Sequence, residues 1–221
     1  MPLKNNLIDI HNRIKEACAR SGRSTDEVTL ICVSKTFPAE TIAATQALGE
    51  NVFGENRPQE LRDKLPLIKG AQWHLIGHLQ TNKVKYVVGN ALLIHSVDSL
   101  SIAEAINDEA LKKGVIQDIL LEVNISGEES KYGLTIAQIP NIIKEVESLK
   151  NIRFRGFMTM APLAASEEEI RSIFRSAHSL FVQYKDCGAD ILSMGMSGDF
   201  EIAIEEGATH IRVGSAIFKD G

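Results

Sequence analysis

A lysine closes one of the most apolar runs in this 221-residue chain, Leu30-Ile31-Cys32-Val33-Ser34-Lys35. Desolvation favours the neutral amine of a lysine, and that form attacks an aldehyde to give a Schiff base. Taken alone, Lys35 reads as a strand-end lysine that reaches solvent or pairs with a carboxylate. Two later segments shift that balance. Met196-Ser197-Gly198-Asp199 passes from an apolar run into a helical pattern. Gly198 lets the backbone come close, Ser197 offers a hydroxyl, and a helix start offers free N–H groups to an anion. Val213-Gly214-Ser215-Ala216 repeats that chemistry. Each loop alone fits an ordinary turn with a cap, and Asp199 fits the capping role. Arg212 stands two residues before Gly214, so strand parity turns both to one face. There an arginine can hold an anion or face a heteroaromatic nitrogen. Two occupants suit lysine, cradle and arginine together: pyridoxal 5′-phosphate (PLP), or the phosphorylated substrate of a lysine-dependent aldolase.

These residues are far apart in sequence, and the apolar pattern shows what brings them together. Runs at Thr29–Lys35, Asn51–Asn56, Gln72–Gly77, Leu92–Asp98, Asp118–Ser126, Ile152–Met160, Ile191–Met196 and His210–Phe218 read as strands. Several lack polar alternation, as expected of parallel strands covered on both faces. Helical stripes separate them, among them Ile139, Ile142, Ile143, Val146 and Leu149. Pro38 and Pro58 sit where a first helical turn accepts proline; Gly49, Gly70, Gly89, Gly114, Gly188 and Gly207 fall at helix ends. Eight strands with seven intervening helices predict an α/β fold, a single (β/α)8 TIM barrel over residues 1–221. A doubly wound open sheet is the alternative. It is weakened because no strand-to-helix turn carries a dinucleotide or P-loop glycine pattern. An extra N-terminal helix, Asn5–Arg20, with Leu7, Ile10, Ile14 and Cys18 on one face, is expected to cover the wall left after strand eight. Barrels commonly bind phosphate with the loops after strands seven and eight, which makes the Ser197 and Gly214 loops a paired cradle.

Composition removes other classes. With 24 Lys+Arg against 29 Asp+Glu the net charge is −5, which argues against a dominant nucleic-acid surface. No apolar run approaches the roughly 18 residues of a membrane span, and Met1–Asn6 lacks the apolar stretch of a signal peptide. A cytoplasmic protein is expected. Cys18, Cys32 and Cys187 form no Cys-x-x-Cys pair and read as reduced, mostly buried thiols. His74 and His78 straddle a strand end with nothing to complete a metal set, so no metal is expected. His95, His178 and His210 read as isolated, Trp73 as core, and Lys83 with Lys85 as too few for a basic cluster. Ser126–Lys131 comes nearest to a flexible loop.

Several motifs occur in concert: Val33-Ser34-Lys35-Thr36, Gly54-Glu55-Asn56, the run Trp73–Lys83, Phe157–Pro162, Ser193–Asp199 and Arg212-Val213-Gly214-Ser215. Over essentially the whole chain they resemble the YggS/PROSC family of PLP homeostasis proteins. The resemblance implies a barrel similar to the N-terminal barrel of alanine racemase, of PLP fold type III. It implies a covalent aldimine on Lys35, a phosphate cradle of Ser197, Gly198, Gly214 and Ser215, and Arg212 facing the pyridine nitrogen. Asn56 would lie beside the cofactor, and Ile76 and Met160 near its ring. A permanent cation at the ring nitrogen keeps it unprotonated and weakens the ring as an electron sink. Two positions depart from the family pattern. Arg57-Pro58 stands where an aromatic residue is usual, and Lys219-Asp220-Gly221 replaces a glycine, a basic residue and an aromatic.

The resemblance also separates enzyme from carrier. A racemase of this type sets its lysine on one face of the substrate and a tyrosine from an added β-domain on the other. Here the barrel consumes the chain, and Tyr86, Tyr132 and Tyr184 lie in no matching motif, so a second base is missing. The expectation is a monomeric PLP carrier that buffers or delivers the cofactor to PLP-requiring apoenzymes. Its effect on amino-acid and keto-acid balance would be indirect, with no catalytic residue. A PLP enzyme of weak racemase-like activity and a PLP-sensitive regulatory partner are the alternatives.

Overall fold

The computed structural model describes residues 2–128 and 132–219. Eight strands form at the expected runs: β1 (Thr29–Val33), β2 (Val52–Glu55), β3 (Gln72–Leu75), β4 (Leu93–Val97), β5 (Gln117–Glu122), β6 (Ile152–Met158), β7 (Ile191–Ser193) and β8 (His210–Val213). Each pairs in parallel with the next, and β8 pairs with β1 to close a barrel in chain order. The α/β barrel expectation therefore holds and the open sheet is excluded. Most strands end two or more residues earlier than the apolar runs. Lys35, Asn56, Ile76 and Met160 lie beyond the ladders, where the chain turns away over the C-terminal mouth.

The helices are α1 (Pro2–Ser21), α2 (Ala39–Ala47), α3 (Pro58–Lys64), α4 (Leu100–Lys113), α5 (Ile139–Ser148), α6 (Glu167–Gln183), α7 (Phe200–Glu205) and α8 (Ser215–Phe218). A 3₁₀ segment, Thr81–Tyr86, joins β3 to β4 in place of an α-helix. One expectation is corrected at the C-terminus: the run His210–Phe218 is not all strand. The ladder stops at Val213, and Ile217 and Phe218 turn into the core from the single helical turn of α8. That turn is too short to cover a barrel wall, and α1 completes the cover. Leu7, Ile10, Ile14, Ala17 and Cys18 are buried along one face of α1. Asn6 Nδ2 donates to the carbonyl of Ile217 at 2.9 Å, and Arg13 and Arg20 pair with Glu201 and Glu205 at 2.8 and 2.6 Å. At the other end of many helices the six expected glycines adopt φ from 65° to 107°.

The main core lies between strands and helices, while Leu93, Leu120, Met158 and Ile191 form a separate small cluster inside the barrel. The β4–β5 register shifts between Ile94 and Val97, the stretch that carries His95 and Ser96 inward. Both are fully buried. Such bulges re-aim side chains locally. Residues 129–131 of the expected loop, and Asp220-Gly221 of the final turn, lie outside the described residues. No helix among the described residues is long and apolar enough to cross a membrane.

Candidate functional site

At the C-terminal mouth, the chain leaves β1 through a strained turn. Thr36 has φ +67°, the one non-glycine residue with positive φ among those described. β-Branched residues rarely occupy that region, so the surroundings must enforce it. The Thr36 N–H donates to Glu60 Oε2 at 3.0 Å, and its hydroxyl donates to the Lys35 carbonyl at 2.6 Å. Beneath the turn, Ser34 Oγ donates to Glu55 Oε1 at 2.7 Å. Lys64 Nζ reaches Glu55 at 2.7 Å, the Ser34 carbonyl at 2.9 Å and Glu60 at 3.4 Å. Burial raises the pKa of Glu55 against the pull of Lys64 and Ser34. Burial also works against ionised Glu60, but the Thr36 N–H and Lys64 outweigh it and lower its pKa. Lys35 reaches solvent, as its strand-end position suggests when read alone: β1 ends at Val33, and the turn that follows lifts the lysine clear of the ladder. The carboxylates nearby are held by Lys64 and Arg57, and Lys35 forms no ion pair among the described residues.

Across the mouth, the two expected loops meet. Ser197 Oγ accepts from the N–H of Gly214 at 3.2 Å and of Ala216 at 3.3 Å, which ties the β7 loop to the start of α8. The Ser197 hydroxyl hydrogen has no acceptor among the described residues. Asp199 stands at the N-cap position of α7, but its carboxylate makes no capping bond to the helix. It accepts from the Met196 N–H at 2.5 Å and so closes the preceding loop, and desolvation raises its pKa. Gly195 makes this turn possible. Its φ is +92°, and a Cβ there would meet Ala203 Cβ at 2.5 Å. Gly77 has a matching duty under Asn56: a Cβ would lie 2.3 Å from the Asn56 carbonyl oxygen.

Arg212 is buried in the wall between them. It donates to Ser193 Oγ at 2.6 Å and to the Thr159 carbonyl at 3.0 Å. Two of its five N–H groups are thus used, and the rest have no partner among the described residues. Burial lowers its pKa to about 10, with Asp199 and Glu122 acting in the opposite sense, so it stays cationic at neutral pH.

Lys35, Asn56, Ser197, Gly198, Arg212, Gly214 and Ser215 all line one cavity of about 430 Å³, together with Ile76 and Met160. Apolar groups, among them Val33, Ala161 and Leu163, line it together with these donors. Its donor set suits a flat heteroaromatic ring carrying a dianionic phosphate and a carbonyl group: donors for the phosphate, an amine for the carbonyl, a guanidinium for the ring nitrogen.

Other sequence readings sort differently. His74 and His78 separate, as expected, with His78 Nδ1 3.0 Å from Asp98. His95 is not isolated. Its ring lies 2.9 Å from both His74 and Ser193, because strand alternation puts it on the inward face with Leu93. His210 stacks on His74 with centroids 6.1 Å apart. Trp73 is core, packed on Phe53. Arg57 is 76 % exposed on its side chain and pairs with Glu60, so the position where the family has an aromatic residue contributes no wall to the cavity. Cys18 and Cys32 are buried and Cys187 is exposed. No group of three His, Cys, Asp or Glu is placed to hold a metal among the described residues. Sequence reasoning missed the Glu55–Lys64–Glu60 support of the Lys35 turn. A glutamate inside the apolar strand Val52-Phe53-Gly54-Glu55 was the available signal.

Comparison with known proteins adds independent findings. The family model described as the alanine racemase N-terminal domain matches residues 6–220. A pyridoxal phosphate homeostasis protein of Aquifex aeolicus is 41% identical over 217 residues, 96% of this chain and 95% of that protein. PipY of Synechococcus elongatus, solved with PLP bound, superposes with TM-score 0.82 at 34% identity, covering 93% of this chain and 100% of that one. Alanine racemase of Clostridium difficile shares the fold, with TM-score 0.80 at 16% identity over 100% of this chain and 60% of its own.

Proposed function

Because the chain belongs to the alanine racemase N-terminal domain family, among the pyridoxal phosphate homeostasis proteins, we propose that it binds PLP covalently through Lys35 and buffers or delivers it. One observation carries this reading: an unpaired amine, two serine–glycine loops and a half-satisfied arginine face a single cavity. When bound, PLP supplies an electrophilic aldehyde and a conjugated ring. Lys35 Nζ would hold the aldehyde group, and Ser197, through its free hydroxyl hydrogen, with the backbone of Gly198, Gly214 and Ser215 would hold the phosphate. Arg212 would offer the ring nitrogen the N–H groups the protein leaves unused, and Asn56, Ile76 and Met160 would flank the ring.

A carrier is preferred to a racemase because no described tyrosine stands opposite Lys35. Tyr184 packs edge-on to Phe157, Tyr132 stacks on His78, and Tyr86 is ringed by Arg62, Lys83 and Lys85. Three free cysteines support a reducing, cytoplasmic setting. PLP-requiring apoenzymes are the proposed recipients, served by a monomer formed as one barrel domain. Borohydride reduction of the yellow protein, followed by peptide mapping, tests the reading. A pyridoxyl group on the Lys35 peptide is expected. A colourless protein with no modified lysine, or a label elsewhere, overturns it.

A further inference from the structure

A continuous file of buried polar groups runs back from Arg212 through the barrel interior. Arg212 donates to Ser193 Oγ at 2.6 Å; Ser193 Oγ lies 2.9 Å from His95 Nδ1; His95 Nε2 lies 2.9 Å from His74 Nδ1. Ser193 and His95 are fully buried, and His74 and Arg212 are 2% and 4% exposed. The file leaves β8, crosses through β7 and β4, and ends on β3 at a cavity of the opposite, N-terminal mouth, lined by His74 and His210.

The direction of these bonds follows from donor counting. Arginine only donates, so Ser193 Oγ accepts from Arg212. The Ser193 hydroxyl has one hydrogen, and the acceptor in reach is His95 Nδ1. His95 then carries its hydrogen on Nε2 and donates to His74 Nδ1, which leaves His74 an N–H facing the N-terminal cavity. The reverse order would strand the Ser193 hydrogen in the interior, an outcome that folded chains avoid. Both rings must stay neutral for this. Burial holds His95 well below its ordinary range, helped by His74 and Arg212, and burial followed by His210 brings His74 to about 3.

We propose that Ser193, His95 and His74 are positioning residues that fix the plane of Arg212 and so set how that guanidinium meets the ring of the bound cofactor. The inference rests on the PLP reading above. With one anchor on Ser193 and a second on the Thr159 carbonyl, two different guanidinium nitrogens are tied and the plane cannot rotate. The Thr159 anchor is itself held, since its N–H donates to the Ser193 carbonyl at 3.0 Å and its hydroxyl to Val123 at 2.8 Å. Removing the relay frees the guanidinium to turn within the wall, and the unused N–H groups then meet the ring in more than one orientation.

The experiment compares wild type with Ser193→Ala, His95→Leu, His74→Phe and Ser193→Thr, all loaded with PLP. Borohydride trapping on Lys35 is the control for the underlying reading; its failure in wild type would sink that reading and leave nothing for the relay to position. The relay is read by two other measures, PLP affinity and the pH at which the visible band of the bound cofactor titrates. Ser193→Ala and His95→Leu should still be trapped, bind PLP about tenfold more weakly and shift the titration by about 0.5 pH unit or more. His74→Phe, at the far end of the barrel, should shift it in the same sense by less. Ser193→Thr keeps the hydroxyl and should stay near wild type. Wild-type titration and affinity in both Ser193→Ala and His95→Leu overturn the proposal, as does a fall in thermal stability with neither property moved. Ser193→Ala deletes one oxygen without adding bulk, so it keeps the question open to decision if His95→Leu does not fold.

Discussion

The two mouths of the barrel carry similar charged residues and treat them in opposite ways. At the N-terminal mouth, around a cavity of about 520 Å³, Arg155 grips Asp190 through two bonds of 2.7 and 2.6 Å and also reaches Asp118 at 2.5 Å. Arg153 grips the same Asp118 through bonds of 2.6 and 2.8 Å. Arg23 is spent on the carbonyls of Ile204 and Ala208, both at 2.8 Å. At the C-terminal mouth, around the smaller cavity of about 430 Å³, Lys35 has no ion pair and Ser197 and Arg212 hold hydrogens the described residues do not accept. The one described non-glycine residue of positive φ, Thr36, also lies at this mouth. Volume therefore does not single out the C-terminal mouth. Unused donors do, since a site that must bind a ligand cannot satisfy its donors internally.

Substitutions at the two mouths should divide cleanly. The largest effect expected is Lys35→Ala, which should abolish reductive trapping. Because Lys35 is exposed, the same change should move urea stability by no more than about 0.5 kcal/mol. A trapped pyridoxyl group in that variant would break the assignment of the amine. Ser197→Ala comes next. It removes the donor offered to the phosphate and should weaken PLP binding about tenfold in an equilibrium titration. At the other mouth, Asp118→Asn strips Arg153 and Arg155 of a shared carboxylate. It should cost roughly 1–2 kcal/mol of urea stability while PLP affinity stays within about twofold. A large loss of affinity there would erase the contrast between the mouths.

The last contrast concerns pH and His210, which desolvation, followed by Arg155, lowers to about 4 in the folded chain against an ordinary 6.5. As pH falls, the unfolded chain takes up this proton first. The neutral folded form therefore contributes stability above about 6.5, and that contribution is lost as pH falls towards 4. His210→Gln should flatten the pH dependence of stability in this window by about 1.4 kcal/mol per pH unit. Urea midpoints at pH 7 and pH 5 would measure it. Equal slopes in both proteins would mean that His210 is not held neutral.

Much of the barrel was legible because its signals are local. Strand runs, helical stripes and terminal glycines depend on residues a few positions apart, and the eight strands formed where those signals placed them. The misreading of His210–Phe218 has a local cause as well: Ile217 and Phe218 are apolar because they are core, and one turn of helix buries them as well as a strand would. The motifs around Lys35, Ser197 and Arg212 were readable because each pairs a reactive group with the small residues its backbone needs.

Residue chemistry, strand count and the charge balance were thus set by the sequence alone, since each depends on residue type or near spacing. Closure of the barrel decided the rest. It set Lys35 outside the wall rather than buried in it, turned His95 from an isolated residue into a link between His74 and Ser193, and gave the mouth arginines Arg153 and Arg155 partners while leaving Arg212 donors to spare. The last two outcomes depend on contacts between residues 19 to 98 positions apart, such as Arg212 with Ser193 and His95 with Ser193. No pattern along the chain encodes which side chains will meet over such distances until the register between strands is fixed.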